Sequence, residues 1–195
     1  MSPDHDNLPS AVPLRLPLDR ACREQLRGLL QAGVAVPVRA PCQVSAFLVE
    51  QLGIEPDYVE RRITTVFLDG QVVDSLGEAT LRNGGRLALS AAMPGLVGAT
   101  LRKGGYYAAM RSEITLGAEA GAEAGRPLSE AVPGVVNLKL FNLLIDELVG
   151  AVLRQGILLG WAEAVSLLEV LGRPAPPLPP GTRFVLLTAM EPGSK

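Results

Sequence analysis

The feature that most restricts the fold is a turn, Asp69-Gly70, set between Ile63–Leu68 and Gln71–Val73. A two-residue connection between antiparallel strands needs positive φ at its central residues, and Asn or Asp followed by Gly adopts that at the least steric cost. The flanks agree: Val66 and Leu68 fall on one face, Thr65 and Phe67 on the other. Asn83-Gly84-Gly85 repeats the signal ahead of Arg86–Ala91, where Leu87 and Leu89 alternate with Ala88 and Ser90. The chain must therefore carry a hairpin near its middle and another strand soon after it.

Upstream, Asp19 reads as an N-cap, with Cys22, Leu26, Leu29 and Leu30 at helical spacing and Gly33 as the stop. Val34–Val38 is β-branched and apolar, which predicts a short strand before Pro41. From about Cys42, the spacing of Val44, Phe47, Leu48 and Leu52 predicts a second helix closed by Gly53, and residues 55–60 then connect it to the hairpin.

Val-Ser-Ala-Phe-Leu-Val-Glu-Gln-Leu-Gly-Ile (44–54), Val-Phe-Leu-Asp-Gly-Gln-Val-Val (66–73) and Leu-Arg-Asn-Gly-Gly-Arg-Leu-Ala-Leu (81–89) follow in that order. Together they resemble the small sulfur-carrier proteins of thiamine and molybdopterin synthesis, over roughly residues 33–92. The resemblance implies a ubiquitin-like β-grasp, a fold that serves as a docking surface or as a carrier. Family carriers end in a free Gly-Gly whose carboxylate is activated. Here Gly104-Gly105 is internal and ninety residues follow it.

Beyond the glycine-rich exit, the alternation of Tyr106, Ala108, Met110, Ser112 and Ile114 predicts a strand over Tyr106–Leu116. The low-complexity run at 117–125 predicts a flexible loop. Val135–Phe141 alternates as a strand and is expected to pair with 106–116. Phe141, Leu144, Ile145, Leu148 and Val152 define a helix closed by Gly156, and Trp161, Ala164, Val165, Leu168 and Leu171 define another closed by Gly172. Pro174–Pro180 reads as an extended connector and Phe184–Thr188 as a last strand. The expected organisation is α+β: an arm at 1–17, a β-grasp-like domain at 18–116, a loop at 117–126 and a C-terminal αβ lobe at 127–195. Whether the two lobes share one sheet stays open.

Charge and chemistry narrow the function. The net charge is −2, and the seven Lys or Arg of residues 61–111, against three Asp or Glu, are spread over several elements, so no nucleic-acid partner is expected. The apolar stretch 135–171 is interrupted by Lys139, Asp146, Glu147, Arg154, Glu163 and Glu169, so no membrane span is expected. No secretion signal is read at the start, and Cys22 and Cys42 lie twenty residues apart without a Cys-x-x-Cys. This composition points to free thiols in the cytoplasm. The single histidine, His5, falls in the proline-rich arm, which argues against His-dependent nucleophilic catalysis and His metal sites. No cofactor is expected. Asp146 and Glu147 are adjacent on a helix and so diverge by about 100°.

One segment could hold a ligand. Gly95, Gly98, Gly104 and Gly105 could offer backbone N–H groups to a small anion, with Arg102 and Lys103 supplying charge and Tyr106 a hydrogen bond. The segment matches neither the Walker loop nor the dinucleotide fingerprint. Three functions stay open at this point. The first is a non-catalytic cytoplasmic binding or accessory module with a protein partner or a second copy. The second is a masked sulfur carrier processed after Gly105. The third is an enzyme or anion binder using residues 93–105.

Overall fold

The structure is a computed structural model and describes residues 10–91, 95–107, 131–177 and 179–190. Its elements run β1 (Ala11–Leu16), α1 (Arg20–Ala32), β2 (Val34–Ala40), β3 (Cys42–Gln43), α2 (Val44–Ala46, continuing as a π-helical turn Phe47–Gln51), α3 (Pro56–Arg62), β4 (Thr65–Leu68), β5 (Gln71–Val72), β6 (Thr80–Leu81), β7 (Arg86–Ser90), α4 (Gly95–Leu101), β8 (Val132–Phe141), α5 (Leu144–Gln155), β9 (Ile157–Gly160), α6 (Trp161–Val170) and β10 (Phe184–Ala189).

Local chemistry sets the joints. The Asp19 carboxylate accepts the Cys22 N–H at 2.8 Å, which caps α1, and the Asp69-Gly70 turn has φ of 52° and 88° as the hairpin demands. Helix α1 ends at Gly33, whose N–H bonds to the Leu29 carbonyl, and β2 begins with the next residue. Helix α5 ends in the same way at Gly156, bonded to Val152, and passes straight into β9. Both glycines have positive φ, 116° and 98°. A Cβ at Gly33 would lie 2.6 Å from Asn137 Oδ1, and one at Gly156 would lie 2.8 Å from Leu186 Cδ1.

Eight strands form one mixed sheet in the order β1-β10-β9-β2-β8-β7-β4-β5, while β3 and β6 make a separate pair. The pairs β1–β10 and β7–β8 are parallel, and the others are antiparallel. The two lobes expected from the sequence share this sheet, because β8 of the second lies between β2 and β7 of the first. The crossovers β1-α1-β2 and β8-α5-β9 interlock, each spanning a strand of the other.

One face of the sheet is apolar from β10 to β4: Val185 and Leu187, Ile157 and Leu159, Val34 and Val36, Val136, Leu138 and Leu140, Leu87 and Leu89, Val66 and Leu68 are all buried. The helices pack on it as a row, α3-α5-α1-α6, and an arginine–carboxylate pair ties each seam. Arg62 Nε meets Glu147 Oε2 at 2.9 Å between α3 and α5, and Arg27 meets Asp146 Oδ1 at 2.7 Å between α5 and α1. Arg173 meets Asp19 at 3.7 Å, where the end of α6 reaches the start of α1. These pairs are half exposed, so they set register more than they add stability. The burial of Leu144, Leu148, Val149, Val152 and Leu153 holds α5.

Strand β2 carries Pro37 in the interior of the sheet, where a proline removes a ladder donor. It is tolerated because β9 meets β2 only at Ala35. Past that point two glutamines replace a neighbouring strand. Gln155 Nε2 donates to the Pro37 carbonyl at 2.9 Å, and the Gln51 amide pairs with both main-chain groups of Arg39 at 2.8 and 3.1 Å. Gln51 ends the π-helical turn, in which Leu52 bonds back to Phe47, five residues away.

Several expectations are corrected. Residues 11–16, within the proposed arm, form edge strand β1. Residues 55–60 enter helix α3 rather than a plain connection. Among the described residues β8 pairs with β2 over Val132–Leu138 and with β7 over Asn137–Phe141, and most of the segment expected to pair with it, 106–116, is not among them. Tyr106 and Tyr107 form a 3₁₀ turn, and the rest of that proposed strand, like the loop at 117–126, lies outside the described residues.

Candidate functional site

The glycine-rich exit is in large part a helix. Residues 95–101 form α4, with Gly95 exposed at φ 77° and Gly98 buried. The chain then turns at Gly104, φ 59°, and closes on itself with the Gly105 N–H donating to the Arg102 carbonyl at 3.1 Å.

Lys103 anchors this excursion. Its N–H donates to Thr64 O at 2.8 Å, and its side chain, only 9% exposed, runs beside α3. There Nζ donates to the Val59 carbonyl at 3.1 Å and to Glu60 Oε2 at 3.2 Å. The next residue is held too, as the Gly104 N–H donates to Asp74 Oδ1 at 2.8 Å.

These groups line an open cleft of about 460 Å³, within the range of small-molecule sites. Its apolar wall is Val49, Val59 and Leu76, and its polar groups are Ser45, Glu60, Asp74, Ser75 and Lys103. Of the residues singled out from the sequence, Lys103 and Gly104 reach this cleft, whereas Gly95, Gly98, Arg102, Gly105 and Tyr106 do not line it. The ammonium expected to attract an anion faces Glu60, and the backbone donor expected to cradle it is taken by Asp74. With two carboxylates against one ammonium, the lining as built suits an anion poorly. The sequence offered no signal for Ser45, Glu60, Asp74 and Ser75, which come from separate segments with no shared spacing.

The same excursion exposes four large apolar side chains. Leu96 is 70% exposed, Val97 65%, Tyr106 93% and Tyr107 39%. The two tyrosine rings meet edge to face with centroids 5.2 Å apart, a favourable aromatic geometry that orders them relative to each other.

The remaining candidates are structural. Cys22 and Cys42 are buried free thiols. Burial pushes the Cys42 thiol up to about 11 despite a 3.4 Å contact from Gln51 Nε2, and burial next to Asp19 raises Cys22. Neither is a poised nucleophile. Asp146 and Glu147 diverge as adjacent helical residues must, each to its own arginine. No described helix is long and apolar enough to cross a membrane. No family model, curated protein or solved structure matches this chain.

Proposed function

We propose that this chain is a non-catalytic binding module of the cytoplasm, and that residues 95–107 are its docking element. The observation that carries this reading is the exposed apolar set. Nine large apolar side chains are exposed among the described residues, and Leu96, Val97, Tyr106 and Tyr107 place four of them within this one excursion. Single exposed hydrophobes are ordinary, but a cluster on one short element has the composition of a partner-binding surface. Tyrosine suits the role because it offers a large contact at a low cost in rotamer freedom.

The base of the excursion is fixed through Lys103 and Gly104, so a partner meets side chains presented from a held turn and the ordering cost of binding falls. The sequence resemblance to ubiquitin-like carriers supports a docking role by analogy of fold alone.

A photoreactive residue placed at Leu96 in the full chain tests the proposal. The expected result is a discrete adduct with one protein, which after purification binds wild type and binds Leu96→Asp or Tyr106→Ala at least tenfold more weakly, about 1.4 kcal/mol. A captured protein that binds the variants as tightly as wild type refutes the docking role of this element.

A further inference from the structure

Helices α1 and α6 lie antiparallel at the end of the helix row, and between them runs an apolar groove of about 400 Å³. Gln25 and Leu29 line it from α1, and Ala162, Glu163, Ser166, Leu167 and Val170 line it from α6. Val170 is 65% exposed on its rim. Little stands above the groove, because the outward positions include Ala21, Gly28 and Ala162, and a Cβ at Gly28 would meet nothing within 4 Å. Another helix could therefore approach closely.

The two helices that flank the groove differ in charge, and Glu163 is the one charged residue that lines it. Helix α1 carries Arg20, Arg23 and Arg27 against Glu24, whereas α6 carries Glu163 and Glu169 and no cation. Several of these are engaged within the molecule: Arg20 with Glu24, Arg27 with Asp146, and Glu163 with the Gly160 N–H. The Arg23 guanidinium donates from Nε to the Leu18 carbonyl, and among the described residues no ion pair joins Arg23 or Glu169 to another side chain.

We infer that this groove is the interface between two copies of the chain, related by a two-fold axis that runs along it. A partner of uniform charge would match one helix and be repelled by the other. A second copy rotated about the groove sets the basic α1 of each molecule on the acidic α6 of the other, the self-complementarity that a two-fold contact requires. Such an axis preserves the antiparallel pairing of the helices. It brings the N-terminal half of α1 in one copy to the C-terminal half of α6 in the other, and so Arg23 to Glu169. It also covers Leu29, Leu167 and Val170, whose contact supplies the apolar centre of the interface.

Sedimentation velocity on the full chain tests the inference. Wild type is expected to be a dimer, and Val170→Asp, which changes an exposed side chain, is expected to be monomeric with an unchanged far-ultraviolet dichroism spectrum and to lose the concentration dependence of the melting temperature. Arg23→Glu and Glu169→Arg should each raise the dimer dissociation constant about tenfold, and the double reversal should recover most of the loss. Leu96→Asp, on the separate docking element, should leave the dimer intact. A wild type that stays monomeric at all concentrations, a Val170→Asp variant that stays dimeric, or a double reversal no tighter than the single variants overturns the inference.

Discussion

Glu147 shows how much one side chain can organise here. It accepts hydrogen bonds from Arg62 Nε and from the Tyr58 hydroxyl, and so ties α3 to α5. The Arg62 hydrogen bonds, followed by that of Tyr58, hold its carboxyl down at about 2, while burial and then the hydrogen bond to Glu147 raise the Tyr58 phenol against the opposing effect of Arg62. A carboxylate whose folded pKa lies below its unfolded value of about 4.3 adds stability that is complete above the unfolded pKa and is lost as pH falls through the folded one. The expected outcome is that wild type loses this contribution between about pH 4.3 and pH 2, whereas Glu147→Gln, lacking it throughout, shows a shallower fall in urea midpoint over that range. Parallel acid slopes for the two proteins would show that the contact contributes nothing. The sequence could state that Asp146 and Glu147 diverge, since that follows from helix geometry. It could not find their partners, which stand 119 and 85 residues away.

At the scale of elements, what was legible is what a few neighbouring residues cause. The cap at Asp19, the turn at Asp69-Gly70 and the helix stops at Gly33, Gly53, Gly156 and Gly172 act within one turn of chain, and each is where the residues placed it. Strand β9 was missed because four residues between two helices show no period. Strand β1 was missed because Pro13 argues against a strand. Yet Leu16 O accepts the Met190 N–H, so in a parallel ladder the odd-numbered residues of β1 turn their backbone groups to the open edge, where a proline costs nothing. The helix-to-strand joints give the sharpest test. Gly33→Ala combines φ of 116° with a contact of 2.6 Å to Asn137 Oδ1. A loss of ~1–3 kcal/mol is expected from urea unfolding, the cost of holding a non-glycine residue in that region. An unchanged midpoint would mean that β2 can shift at its start without disturbing its pairing to β8.

Across the whole molecule, the order of strands in the sheet is the part no local signal carries. The candidate cleft shares that fate, because Lys103 and Gly104 stood out as a glycine-rich exit while Glu60 and Asp74 reach them only through the fold. A grasp-like lobe ending near residue 116 would leave β2 and β7 apart, since neither pairs with the other. Strand β8 fills that gap. It pairs with β2 from Val132 to Leu138 and with β7 from Asn137 to Phe141, and it buries Val136, Leu138 and Leu140 completely. Removing it would expose two strand edges and strip the apolar face of its centre, losses that a small domain with a stability of about 5–15 kcal/mol does not survive. A fragment of residues 10–107 should therefore show no cooperative thermal transition by circular dichroism and poor dispersion of its amide proton resonances. Full-length protein should unfold in a single transition seen alike by far-ultraviolet dichroism and by fluorescence of Trp161, because β8 joins both halves to one core. A fragment that folds cooperatively would show that β2 and β7 can close on each other, and that the second half docks onto a finished lobe.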